Sequence, residues 1–271
     1  FPYTTLFRSW IVADELGVEP IDQEVWDLVQ GPLASAISDP EGLANGKPEA
    51  FNGLVEGLVM SGLAMQKYRI SSRPASGAGH QFSHVWEMEH LGMDQEPPLT
   101  HGFKVGLGTI SVLALWEKVL EHDFTTLDVD TAVAKWPTAE EMEAKVRANF
   151  TGDMLEPAVK QTMDKYLDAD ALRERLEVVR SKWPTIQERC RAQVMPAARV
   201  EKIIQAVGGI YHPAQIGLTR ERFHDTYYRC QMIRSRYTLL DLLVETGTIS
   251  DFVEPLFESD GFWGQRPWPQ D

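Results

Sequence analysis

Cysteine is scarce in this chain. Its 271 residues include two, Cys190 and Cys230, too few and too far apart for a disulfide framework or a C-x-x-C thiolate metal site. Such a composition suits a reducing compartment, and a cytoplasmic location is expected. Positive charge is also short: 26 Lys and Arg stand against 40 Asp and Glu, a net charge of −14. Nucleic acid and anionic membrane surfaces would be repelled, so neither is an expected partner. A local basic pocket for a small anionic substrate stays open. No apolar run approaches the ~20 residues of a membrane-spanning helix, and no signal peptide is visible. Also lacking are convincing alternating strand patterns, a βαβ rhythm and any G-x-G-x-x-G fingerprint.

What is present is helical periodicity. Val25, Trp26, Leu28, Val29 and Leu33 form a stripe within Ile21–Ala36. Leu54, Val55, Leu58, Val59 and Leu63 recur at three- and four-residue spacing and predict a helix over Pro48–Lys67, where Gly57 and Gly62 suggest close helix–helix approach. Helices are also predicted over His80–Leu91 and Phe103–His122. Thr138 and Glu141 form a capping-box start for the helix that follows. Further helices are expected at Glu156–Tyr166, Ala169–Lys182, Ile186–Ala192, Ala197–Val207, Arg220–Thr246 and Ser250–Glu258. An all-α domain over residues 10–260 follows, with an irregular Pro/Gly-rich tail at 261–271.

Residues 1–9, "FPYTTLFRS", read as the translation of a common short-read sequencing-adapter oligonucleotide. They are therefore expected to be an artefact, with the native sequence beginning near Trp10.

Histidine is concentrated in one place. Four of the seven, His80, His84, His90 and His101, fall between Ser72 and Gly102. His80 and His84 share one helix face, and a helix–loop–helix hairpin can return His101 to their side. Two imidazoles plus a carboxylate form a familiar set for Zn²⁺, Fe²⁺ or Ni²⁺. Glu87, Glu89 and His90 are alternative ligands or a solvated charged edge, while His122, His212 and His224 stand alone as structural residues. Arg73 opens "RPASGAGH", where Pro74, Ser76, Gly77 and Gly79 favour a tight loop with free N–H groups entering the His80 helix. A guanidinium beside a helix N-terminus suits an anion, and Lys104 offers a second positive charge.

These segments carry a resemblance. "SRPASGAGHQFSHVWEMEH" followed by "HGFKVGLGT" resembles the sn-glycerol-1-phosphate dehydrogenases, relatives of the iron-containing alcohol dehydrogenases, glycerol dehydrogenases and dehydroquinate synthases. "WIVADELGVEPID", "EGLVMSGLAMQ" and "RYTLLDLLVETG" look like the same family in the same order. The resemblance implies an N-terminal Rossmann-like domain for NAD(H) or NADP(H), a C-terminal all-α metal domain and a substrate cleft between them. It implies reduction of dihydroxyacetone phosphate to sn-glycerol 1-phosphate, a small phosphorylated substrate for lipid backbones. His80 and His101 match the metal-binding histidines, and His84 a substrate-facing histidine suited to proton relay. Arg73 matches an arginine that meets an anionic substrate group in the dehydroquinate synthases. Ser76, in the same loop, is expected to bind substrate with Arg73 and His84, and Lys104 is expected at the phosphate.

Two departures stand out. Gly79 occupies a position where the family usually has glutamate. The family's third metal ligand, an aspartate in a "G-D" motif, falls where the adapter-like residues stand. The chain is thus expected to be a C-terminal fragment without its cofactor domain, inactive alone, from an enzyme that forms homo-oligomers. A dehydroquinate synthase-like lyase or another polyol dehydrogenase is the alternative within the superfamily, and a non-catalytic helical association module the alternative outside it.

Overall fold

The computed structural model describes residues 3–193 and 195–269, with side chains from Arg8 onward. The described residues form fourteen α-helices, several 3₁₀ turns and no strand, the all-α class expected. No helix among them is long and apolar enough to cross a membrane.

α1 (Tyr3–Glu15) leads into a hairpin of α2 (Gln23–Ala36) and α4 (Pro48–Lys67), with the short α3 (Pro40–Ala44) in the connection. Asp22 caps α2 by accepting from the Val25 N–H at 3.1 Å, the usual role of a short acidic side chain at that position. The hairpin encloses a small core of Trp10, Val25, Val29, Ala64 and Tyr68. Its close approach lies at Gly53 and Gly57. A Cβ on Gly53 would sit 2.7 Å from the Ser35 carbonyl oxygen, whereas Gly62 faces open space. The expected contact at Gly62 is therefore displaced two to three turns toward the helix N-terminus. The outer face of α4 leaves Val55, Leu58 and Val59 more than half exposed.

α5 (Ala78–Met88) and α6 (His101–Val119) form the centre. Leu107, Ile110, Leu113 and Trp116 of α6 are fully buried, as are Phe82 and Trp86 of α5. Burial of such large apolar side chains is the main force holding the two helices together. Around them pack α7 (Val129–Ala134), α8 (Ala139–Asn149), α9 (Leu155–Met163), α10 (Ala169–Arg191), α11 (Ala197–Ala206), α12 (Arg220–Arg229), α13 (Leu239–Glu245) and α14 (Ile249–Phe257). The capping box at Thr138 and Glu141 is formed as expected.

Two predicted boundaries change. Ala169–Lys182 and Ile186–Ala192 are one helix, α10, which runs straight through Pro184. Trp183 and Ile186 are both buried, and the Trp183 indole donates to the His122 carbonyl at 2.9 Å. These contacts outweigh the hydrogen bond that proline removes. Conversely, the single helix expected over Arg220–Thr246 is broken. A 3₁₀ turn at Cys230–Ile233 ends it, and α13 restarts after Thr238, whose backbone N–H and hydroxyl both donate to the Asp241 carboxylate. The break exposes parts of Arg234 and Arg236.

The tail beyond α14 is irregular, as expected, yet docked. Trp263 is fully buried; its indole donates to the Tyr227 hydroxyl at 2.8 Å, which donates to the Ser111 carbonyl of α6 at 3.2 Å. Gln270 and Asp271 lie outside the described residues. At the other end, α1 runs across the boundary expected near Trp10 and buries Arg8 and Ser9 completely. Arg8 donates to the Gln193 carbonyl at 3.0 Å, but its Nε and NH1 and the Ser9 hydroxyl have no hydrogen-bond partner among the described residues. Burial lowers the Arg8 pKa to about 10, so this segment enters the fold at an electrostatic cost.

Candidate metal and substrate site

α5 and α6 cross at two glycines. A Cβ on Gly79 would meet the Gly108 carbonyl carbon at 3.1 Å, and one on Gly108 would meet the Gly79 oxygen at 2.2 Å. A side chain at position 79 would therefore crowd the α6 backbone at this crossing. The crossing brings three imidazoles together. Ring centroids are 5.5 Å apart for His80 and His101, 5.7 Å for His84 and His101, and 6.1 Å for His80 and His84.

Glu87 anchors this triangle. Its carboxylate lies 2.7 Å from His101 Nδ1 and 3.3 Å from His84 Nδ1, and the Ser83 hydroxyl is 3.3 Å from the same His101 nitrogen. Glu87 is thus part of the cluster and not merely a solvated edge. The i, i+3 spacing from His84 was the signal for it, but only the fold shows that it reaches His101. Glu89 instead binds Arg222 and Arg229 at 2.7 and 2.8 Å. His90 follows the end of α5 at positive φ and is exposed. His122, His212 and His224 pack against aromatic rings away from the cluster.

The electrostatics favour the neutral form of His80 and His84. Burial, reinforced by the neighbouring His101 and His84, lowers the His80 pKa to about 3. His84 is lowered too, first by burial and then by the nearby charge of Arg234, with Glu87 opposing. Neutral imidazole is the form that ligates a cation. A carboxylate on Nδ1 of His101 leaves Nε2 for that role, the arrangement by which outer carboxylates orient metal-binding histidines. His80 and His101 therefore fit as two ligands of a divalent ion. Among the described residues, no group of three or more His, Cys, Asp or Glu side chains stands in metal-holding geometry.

Other expected site residues are placed differently. Arg73 is completely buried. It donates twice to Glu19 Oε2, at 2.8 and 2.6 Å, and once to the Tyr237 carbonyl at 2.8 Å. Its guanidinium is thus neutralised by Glu19 within the protein. Ser76 is buried, and its carbonyl accepts from Arg236 at 3.0 Å. Lys104 is buried at 2% exposure. Burial lowers its pKa, while the Glu87 charge works to raise it; it stands three residues after His101 on α6. A cavity of about 30 Å³ lined by Trp136, Lys165, Asp241 and Glu245 is large enough for a water molecule, and none of these histidines lines it.

Comparison with known proteins returns relatives of one kind. A glycerol-1-phosphate dehydrogenase [NAD(P)+] of Geobacillus thermodenitrificans is 28% identical over 246 residues, 90% of this chain and 50% of the relative. The protein of the same name from Halalkalibacterium halodurans is 36% identical over 114 residues, 42% of this chain and 28% of the relative. That of Pyrococcus horikoshii is 35% identical over 119 residues, 42% of this chain and 33% of the relative. The chain spans at most about half the length of these relatives. No family model matches the chain, and no solved structure matches it. The resemblance carried by the two histidine motifs and the relatives found with the whole chain thus coincide: this protein is similar to the glycerol-1-phosphate dehydrogenases.

Proposed function

We propose that this chain supplies the helical metal- and substrate-binding part of an NAD(P)-dependent glycerol-1-phosphate dehydrogenase, which interconverts dihydroxyacetone phosphate and sn-glycerol 1-phosphate. The supporting observation is the meeting of His80, His84 and His101 around Glu87 in a chain similar to enzymes of that name. His80 and His101 hold Zn²⁺, Fe²⁺ or Ni²⁺. A divalent cation bound there supplies Lewis-acid polarisation of a carbonyl oxygen. His80, kept neutral by burial, keeps its lone pair for coordination over the physiological pH range. Glu87 fixes the orientation of His101 through Nδ1. His84, at the third corner and partly open to solvent, relays a proton to or from the substrate oxygen. Lys104, three residues after His101 on α6, balances the cluster's negative charge. NAD(H) or NADP(H) is the hydride carrier of the complete enzyme, and this chain alone does not turn over.

Calorimetric titration with Zn²⁺ and Ni²⁺ tests the metal site. Binding by the wild type that is lost in His80→Ala and in His101→Ala is the expected result; equal binding by all three proteins overturns the proposal. Hydride transfer from NADH or NADPH to dihydroxyacetone phosphate by the purified chain alone contradicts the last statement. A second reading, a helical association module, draws on the exposed Val55, Leu58 and Val59 of α4. It predicts no metal binding in the same titration.

A further inference from the structure

The break between α12 and α13 lines a cleft of about 420 Å³ together with Glu19, Ser72 and Gln161. We propose that this cleft holds the phosphate group of the substrate through the guanidinium groups of Arg234 and Arg236, an inference that rests on the dehydrogenase reading above. Both arginines are partly buried, and neither has a carboxylate partner among the described residues. Arg234 donates to the carbonyl of its own neighbour, Ile233, at 2.9 Å. Arg236 donates to the Ser76 carbonyl at 3.0 Å and to the Ser72 hydroxyl, while its buried Nε has no partner.

This is unusual for a chain with net charge −14. Arg73, fully buried, is neutralised by Glu19, which lines the cleft. Burial of Arg236, with Arg73 adding repulsion, lowers its pKa to about 10, and burial lowers Arg234 as well. Glu19, which also acts on Arg236, is bonded to Arg73, so two partly desolvated cations without a carboxylate in contact are left to receive a ligand that supplies a counter-charge. A phosphate dianion does so, and its planar pairs of oxygens match the guanidinium fork.

The cleft is also in the right place. Ser76, whose carbonyl Arg236 holds, lies four residues before His80 in the loop that opens α5. On this proposal the loop from Ser76 to His80 links the phosphate end of the substrate to the histidine cluster. A neutral polyol gains nothing from these charges, so the cleft selects the phosphorylated form.

The test titrates the chain with inorganic phosphate, sn-glycerol 1-phosphate and glycerol, followed by ³¹P NMR and calorimetry, with Zn²⁺ titrated in parallel. The wild type is expected to bind both phosphate compounds and not glycerol. Arg234→Ala, which removes no contact between elements, is expected to weaken phosphate binding roughly tenfold to a hundredfold, the usual range for a lost charge-assisted contact. Arg236→Lys, which keeps the charge but loses the fork, is expected to weaken it by a smaller factor. Zn²⁺ binding is unchanged in both. Phosphate binding that is absent, or unaffected by either variant, while Zn²⁺ still binds overturns the assignment of the cleft. Absence of Zn²⁺ binding with arginine-dependent phosphate binding intact supports the cleft and defeats the dehydrogenase reading instead.

Discussion

Gly79 of α5 and Gly108 of α6 touch backbone to backbone, and this contact sets the distance between the histidines that the two helices carry. The added-Cβ distances are 3.1 Å at Gly79 and 2.2 Å at Gly108, with main-chain atoms as neighbours in both cases. Backbone cannot move aside as a flexible side chain can. Gly108→Ala is expected to destabilise more than Gly79→Ala, with losses of about 1–3 kcal/mol typical of overpacking. Urea denaturation midpoints check the order, and equal stability of both variants with the wild type would show that the helices do not cross this closely.

Glu87 holds His101 at 2.7 Å. Glu87→Gln keeps the shape and removes the charge that orients the ring. Zn²⁺ affinity is expected to fall about 10–100-fold, the range for loss of an outer carboxylate, while the thermal midpoint without metal changes little. Calorimetry at fixed pH reads both quantities; an unchanged affinity removes Glu87 from the site.

Arg73 and Glu19 form a pair whose guanidinium is inaccessible to water. Burial works to raise the Glu19 pKa, but the Arg73 charge and hydrogen bonds from Arg73, Ser71 and Tyr68 hold it below 4.5. A depressed carboxylate contributes stability that is present above the unfolded value and lost as pH falls through the folded one. Arg73→Met leaves Glu19 uncompensated and is expected to cost about 3–5 kcal/mol at pH 7. Without Arg73, burial raises the Glu19 pKa, so the gap from wild type should narrow as pH falls from 7 and Glu19 of the variant takes up a proton first. Denaturation at pH 7 and pH 4 measures it, and a constant gap would falsify the linkage.

The outer face of α4 and the tail tryptophan give opposite expectations for apolar residues. Leu58, 56% exposed, should accept Leu58→Gln within about 0.5 kcal/mol, with better solubility at high concentration. Trp263→Ala, at a fully buried position, should cost about 3–5 kcal/mol. Differential scanning calorimetry of the two variants separates them, and similar midpoints contradict the burial pattern.

The helices and the convergence of His80 with His101 were legible because both rest on local rules. Apolar spacing marks helix faces, and His-x-x-x-His on one helix followed by a short connection leaves the third imidazole few other places to go. The rest depended on long-range partners. The bond of Arg73 to Glu19 was not legible, because nothing near Arg73 in sequence announces a partner 54 residues away. Arg234 and Arg236 were hidden inside a continuous helical pattern, since the restart at Thr238 and Asp241 competes with a periodicity that runs on through it. Pro184 misled in the reverse sense, because buried Trp183 and Ile186 carry the helix past it.

The Tyr227–Trp263 hydrogen bond makes an irregular segment part of the wall of the bundle. Trp263 donates to Tyr227, and Tyr227 donates to the Ser111 carbonyl of α6. Detaching the segment after α14 would bare the aromatic faces of Tyr227 and Phe223 to water, so this segment without regular structure seals the core as a helix would.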